Sequence, residues 1–320
     1  MLAPRSRSHG IEIDSGLRSF RILYDDQAPL LSVPSGSVPS GSVPSGSVPS
    51  GPTPSDGSPS STAPELEPLY DTTKMAFMVE TRPLPHLPAL FTHMAALIPP
   101  EWTLRFMGST ESIQQLLSSS HLARLEAIGK LTVLEVPPQY NVTSRESISQ
   151  MFTDIHLYRD ILSPAENLLV FQPDSILCAN SKETLNDWLE WDWVGAPWSA
   201  TAQHGGNGGL SLRKVSRILK VLSAQDRPEN DPALEDLWLT TELARLEDAK
   251  MPNASISKHF SVESVWDDNP LGYHVGWLGV HHGQIWDDAA QVKHIMEYCP
   301  EVKLILGMKL DNDKPVGVPR

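Results

Sequence analysis

From Lys74 onward, short apolar runs alternate with stretches of helical spacing. Met75–Glu80 is an apolar run closed by a charge and predicts a strand; Pro88–Ile98 predicts a helix stopped by Pro99 and Pro100. Thr103–Met107 predicts a second strand. Glu111–Ile128 predicts helix with a break at Ser118–Ser120, and Leu131–Val136 a third strand. Ser144–Ile161 predicts one longer helix, and the almost wholly apolar Asn167–Phe171 a central fourth strand. Short elements follow: a helix at Leu185–Leu189, a strand at Trp193–Ala196, the stretch Leu210–Arg213, an amphipathic helix to about Leu222, and a helix at Ala233–Glu247. The remainder reads as shorter strand and loop. Alternation of this kind predicts an α/β fold, a mainly parallel sheet joined by right-handed crossovers. In open sheets of that class ligands bind beyond the carboxyl ends of the strands, which draws attention to Gln172-Pro173-Asp174-Ser175.

The N-terminal part differs in kind. Residues 32–51 are four tandem Ser-Val-Pro-Ser-Gly units, too short for a solenoid and with only Val to bury. Most of the excess of the chain's 28 Pro lies in this region, so residues 28–69 read as a disordered linker. The apolar-polar mixture from Ile11 to Leu31 has no period that assigns it a structure. The division expected is a disordered region over 1–69, one domain over 70–310, and a tail over 311–320.

Asp and Glu (39) outnumber Lys and Arg (25), a formal charge of −14. That balance lacks the basic stripe of a nucleic-acid binder. It leaves phosphate ligands open, because a bound divalent cation reverses the local sign. No window resembles a membrane span, and Met1–Phe20 lacks the apolar core of a secretory signal. A cytoplasmic location follows for the chain as it stands, or a Golgi or secretory one if it continues upstream. Two cysteines, Cys178 and Cys299, exclude a disulfide scaffold. Buried free thiols are expected, with a single disulfide left open.

Three blocks occur in order: Phe171-Gln172-Pro173-Asp174-Ser175-Ile176-Leu177-Cys178, Trp191-Asp192-Trp193-Val194-Gly195-Ala196-Pro197-Trp198, and Gly206-Asn207-Gly208-Gly209-Leu210-Ser211-Leu212-Arg213. With Val79-Glu80-Thr81-Arg82, Glu235-Asp236-Leu237-Trp238 and Leu271-Gly272-Tyr273-His274, they resemble a fungal and bacterial domain-of-unknown-function family regarded as glycosyltransferase-like, over about Lys74 to His282. The resemblance implies a GT-A-type, Rossmann-like fold that takes a nucleotide-diphosphate sugar donor and a hydroxyl acceptor, transferring the sugar with inversion. A non-catalytic sugar- or nucleotide-binding protein on the same fold is the alternative.

Such chemistry must neutralise a leaving diphosphate. Asp174, past a central strand, is the candidate ligand for Mn²⁺ or Mg²⁺, although one carboxylate stands here where GT-A folds often carry Asp-x-Asp. His274 is the second candidate metal ligand, with a structural histidine as the alternative. Thr81, Arg82, Gln172, Trp198, Asn207, Gly208 and Gly209 are expected to contact donor or acceptor. Arg82 equally suits an ordinary salt bridge, and the glycine block a plain turn. The resemblance places Glu235-Asp236 where the catalytic base belongs, with Asp236 favoured for the base and Glu235 for acceptor binding. A carboxylate pair at the positive end of a helix is the bland reading of the same residues. His281-His282 lacks the spacing of a helical metal motif.

Overall fold

Strand β1, Lys74–Glu80, is buried on both faces and lies inside a six-stranded sheet. The structure, a computed structural model, describes residues 69–276 and 283–306. The Ser-Val-Pro-Ser-Gly repeats, the expected disordered region up to residue 68, His281-His282 and the expected tail lie outside the described residues.

Alternate residues of β1 enter two separate cores, as the two-residue period of a strand requires. Ala76 and Met78 pack with Leu87, Leu90 and Phe91 of α1 (Leu87–Leu97), whereas Met75 and Phe77 pack with Phe152 and Tyr158 on the other face. Pro88 sits in the first turn of α1, where its missing N–H costs nothing, and the helix ends before Pro99-Pro100. β2 (Thr103–Gly108) follows, then α2 (Thr110–Leu117) and α3 (Ser120–Ala127), then β3 (Leu131–Glu135). The break expected at Ser118–Ser120 is real. The Ser119 side chain accepts from Leu122 N and starts a new helix.

The longer helix expected over Ser144–Ile161 is instead α4, Arg145–Phe152, followed by a separate π-helical turn at Leu157–Ile161. Thr153 Oγ1 donates back to Ser149 O at 2.7 Å, and Asp154 Oδ1 accepts from His156 N at 2.9 Å. Side chains that satisfy the local backbone in this way compete with helix continuation. β4 (Asn167–Phe171) then pairs with β1.

The strand order is β3-β2-β1-β4-β7-β6, with β6 at Trp193–Gly195 and β7 at Leu210–Lys214. β1, β2, β3 and β4 run parallel, and β7 is antiparallel to both β4 and β6. The fold is thus the expected mixed α/β arrangement, mainly parallel and flanked by helices. The chain moves outward from β1 to β3, then returns to place β4 on the other side of β1. That reversal makes the carboxyl ends of β1 and β4 a topological switch point.

Helices α5 (Val215–Leu222) and α6 (Glu235–Ala244) cover the Phe77 face. A second sheet, which the sequence did not suggest, has the order β5-β9-β8, from Ser175–Leu177, Gly272–His274 and Ser261–Val262. The C-terminal part is also more helical than expected, with α7 at Ala254–Phe260, α8 at Gly283–Trp286, α9 at Ala289–Tyr298 and α10 at Lys303–Leu306. Contrary to the expected free thiols, Cys178 beyond β5 is disulfide-bonded to Cys299 beyond α9, closing a sequence separation of 121. Among the described residues no helix is long and apolar enough to cross a membrane.

Candidate active site

The turn after β4 is fixed before any ligand is considered. Ser175 N donates to Gln172 O at 3.0 Å, and Gln172 N donates to Gly209 O at 2.8 Å. The Ser175 hydroxyl also donates to Gly209 O. Asp174 therefore stands at the start of β5, whose Ser175 is paired with His274 of β9. Its backbone carbonyl accepts from Val275 N at 2.9 Å. A residue 100 positions away is thereby brought beside it.

His274 is 5% exposed and lies between two carboxylates. Nε2 is 3.4 Å from Asp174 Oδ1 and Nδ1 is 3.1 Å from Glu263 Oε1. Neither contact has hydrogen-bond alignment, so both ring nitrogens are buried without a formal hydrogen bond. Burial alone would lower the imidazole pKa, but Asp174 and Glu263 outweigh it and push it up to about 10. For Asp174, burial works to raise the pKa, and the facing imidazole overcomes it to leave a lowered value.

The glycine block is not a loose turn. A Cβ on Gly209 would collide with His274 Nε2 and stand 2.8 Å from Gln172 Oε1, so only glycine leaves room there. Asn207 Oδ1 accepts from Gly209 N at 2.6 Å, and Asn207 Nδ2 donates to Glu263 Oε1 at 3.2 Å. Gly208 N donates to Asp236 Oδ2 at 3.0 Å, which ties the block to the start of α6.

At that helix start Asp236 accepts two backbone bonds, the second from Leu237 N to Oδ1 at 2.7 Å. Glu235 Oε1 instead faces Arg213 Nη2 at 3.4 Å. Arg213 is fully buried. Its guanidinium lies 4.0 Å from the Trp193 ring centroid and 5.0 Å from that of Phe152, and Nη2 also donates to Gly208 O at 3.2 Å. Burial raises the pKa of Glu235 to about 7, reinforced by the neighbouring Asp236 carboxylate and opposed by Arg213. Burial raises that of Asp236 as well, against its two backbone donors.

These residues line one open pocket of about 340 Å³, the lower end for small-molecule sites. Gln172, Asp174, Asn207, Gly208, Gly209, Glu235, Asp236 and His274 meet there, and Trp198 and Leu234, both 37% exposed, stand at its wall. Thr81 and Arg82 do not line it. Arg82 is engaged by Glu80, with Nε to Oε1 at 2.9 Å and Nη2 to Oε2 at 2.6 Å, the salt bridge that was the other reading of that residue.

Sequence reasoning missed Arg213 and Glu263. Arg213 carried little local signal, since it stands next to Lys214 at the charged end of β7, yet its side chain is buried. Glu263 carried none, because its partners come from β9 and the glycine block.

The residues present fit a divalent cation. His274 Nε2 is buried without a hydrogen bond, Asp174 Oδ1 lies beside it, and Gln172 Oε1 shares the cradle over Gly209; the imidazole would take a cation only as its neutral form, giving up the proton that Asp174 and Glu263 stabilise. This mixed nitrogen–oxygen set suits Mn²⁺. Glu263 on Nδ1 is the partner that metal-binding histidines ordinarily carry. Among the described residues no group of three or more His, Cys, Asp or Glu could hold a metal ion, so a cation here would need an amide such as Gln172 as a third protein ligand.

Fold and pocket together define a mixed α/β protein with an acidic site at its strand ends. Residues 130–274 match a family model described as a protein of unknown function (DUF5672). That span holds every pocket residue discussed above, and it is shorter than the Lys74–His282 resemblance. No curated protein sequence matches the chain. Among solved structures, the chain is similar to the mannosyltransferase PcManGT from Pyrobaculum calidifontis in complex with GDP-Man and Mn²⁺, at 13% identity, 74% coverage of this chain, 70% of that one and a TM-score of 0.42. It is also similar to core-mannan synthase A from Aspergillus fumigatus in its Mn/GDP form, at 8% identity, 61% and 79% coverage and a TM-score of 0.38. For the galactosyltransferase LgtC with donor and acceptor sugar analogs, the values are 12%, 53% and 71%, and 0.36. Likeness at this level assigns no role to a residue of this chain.

Proposed function

We propose that this chain is a glycosyltransferase of GT-A type, moving a sugar from a nucleotide-diphosphate donor to a hydroxyl acceptor with inversion. The observation that carries the reading is the meeting, in one pocket, of the His274–Asp174 pair and the buried Glu235–Asp236 pair across the glycine block.

A divalent cation held by Asp174, His274 and Gln172 would supply charge neutralisation for the leaving diphosphate. The chain's own groups do the rest. Glu235 takes the proton of the acceptor hydroxyl as its oxygen attacks the anomeric carbon and the bond to the diphosphate breaks. A general base works best with a pKa near the operating pH, and the Glu235 pKa lies in that range. The sequence favoured Asp236 for this role. Its two backbone acceptor bonds favour a role as the anchor of Gly208, and leave Glu235, whose contact is with Arg213, as the better candidate. Arg213 holds Glu235 and the Gly208 carbonyl in one geometry. Trp198 offers a ring face for an acceptor sugar at the pocket wall.

The mutual engagement of Asp174 and His274 also suits a protein that binds a nucleotide-sugar without turning it over. Incubation with a panel of UDP- and GDP-sugars, with and without Mn²⁺, separates the two readings. Release of nucleoside diphosphate that depends on acceptor is expected of the enzyme; saturable binding with no release establishes the binder.

A further inference from the structure

The sequence contains two Asn-x-Ser/Thr triplets, Asn141-Val142-Thr143 and Asn253-Ala254-Ser255. Both asparagines are exposed. Asn141 lies in the connection between β3 and α4. Its Oδ1 accepts from Thr143 N at 2.9 Å and from Thr143 Oγ1 at 2.7 Å. Asn253 caps α7, with Oδ1 accepting from Ser255 Oγ at 2.7 Å and from Ile256 N at 3.3 Å. In each triplet the hydroxyl residue two places on binds the amide oxygen. The nitrogen, which is the atom an N-linked glycan occupies, makes no hydrogen bond among the described residues.

A triplet of this kind is by itself weak, since it arises by chance. The second observation is independent of it. Cys178 and Cys299 are 4% and 0% exposed and joined to each other, a crosslink that forms and persists in oxidising compartments and is rare where thiols are kept reduced. The compartments that install such a crosslink are also those in which asparagine is glycosylated.

We propose that this chain folds in an oxidising secretory compartment and carries N-linked glycans at Asn141 and Asn253. In the transfer, the amide nitrogen forms a bond to the anomeric carbon of an oligosaccharide delivered on a lipid diphosphate. The carbon–oxygen bond to the diphosphate breaks, the lipid diphosphate leaves, and the amide gives up one proton. The crosslink forms by exchange with an oxidised dithiol protein, which takes up the two electrons and two protons of the thiols. Both glycans are compatible with the fold. Attachment at the nitrogen leaves each Oδ1 to its bonds, including the cap of α7, and neither asparagine lines the pocket.

The test uses the full chain isolated from the cells that make it. Peptide-N-glycosidase should increase its electrophoretic mobility, and peptide mapping should find Asn141 and Asn253 converted to aspartate. Asn141→Gln and Asn253→Gln should each remove one step of that shift. Thiol alkylation of the denatured chain before reduction should label neither cysteine. An unchanged mobility with unconverted asparagines overturns the glycan sites, and full labelling of both cysteines before reduction overturns the oxidising compartment.

Discussion

The two walls of the pocket use the same residue types to opposite ends. On one wall Asp174 and Glu263 face His274, the carboxyl of Asp174 is held low and the imidazole is held high. On the other, Glu235 and Asp236 lie side by side, Glu235 against a buried guanidinium and Asp236 against Gly208 N, and both carboxyl pKa values are raised. Burial pushes all three shifted carboxylates in the same direction. The neighbour decides the outcome: an imidazole in contact overcomes burial, whereas a second carboxylate adds to it. A wall of fixed charge suits binding of a cation or diphosphate, and a wall whose protonation changes near neutrality suits moving a proton.

The largest effect should come from the proton-moving wall. Glu235→Gln keeps the shape and should lower turnover by at least roughly a hundredfold, the low end for losing a general base, in a single-turnover assay. Asp236→Asn should cost less. A larger loss in Asp236→Asn would return the base to that residue.

The next effects concern the charged wall and the crosslink behind it. Replacing Cys178 and Cys299 together with Ser should remove about 2–5 kcal/mol of unfolding free energy in denaturant titration. The crosslink secures β5, which starts next to Asp174, to the C-terminal helices. Glu263→Ala should weaken Mn²⁺ binding in calorimetry by roughly tenfold to a hundredfold, as loss of a histidine's outer partner does. Wild-type affinity in that variant would show that Glu263 does not orient His274.

A smaller effect separates the walls by pH. A raised folded-state pKa means that the Glu235 contribution to stability is complete below its unfolded value, about 4.3, and is lost as pH rises through about 7. Melting temperatures across that window should fall less steeply in Glu235→Gln than in wild type. Parallel profiles would contradict the burial of this carboxyl. The smallest effect is expected from truncation: a chain beginning at Leu69 should melt at the same temperature as the full chain, because the Ser-Val-Pro-Ser-Gly repeats have little to bury.

What the sequence made legible was local. Apolar runs announced β1 and β4 as strands, the second of them as central, and the Pro99-Pro100 stop ended α1; the tight packing of Gly209 against His274 was not legible. The small sheet stayed hidden because its strands are two or three residues long and β5 pairs with β9 across about 100 positions. With it went Glu263, whose role exists only once β8 and β9 are side by side. The helix overrun past Phe152 has a different cause: the pattern continues, but Thr153 and Asp154 turn their side chains onto the backbone. The proposal of Glu235 over Asp236 rests on hydrogen-bond partners that spacing does not supply.

The division of labour between the walls is tested most directly by measuring two quantities on Glu235→Gln. These are calorimetric binding of a nucleotide-diphosphate sugar in the presence of Mn²⁺, and release of nucleoside diphosphate from the same donor with acceptor present. The account predicts donor affinity equal to wild type with release lowered at least roughly a hundredfold. Donor affinity falling as far as release would contradict it, because a single wall would then serve both binding and proton transfer.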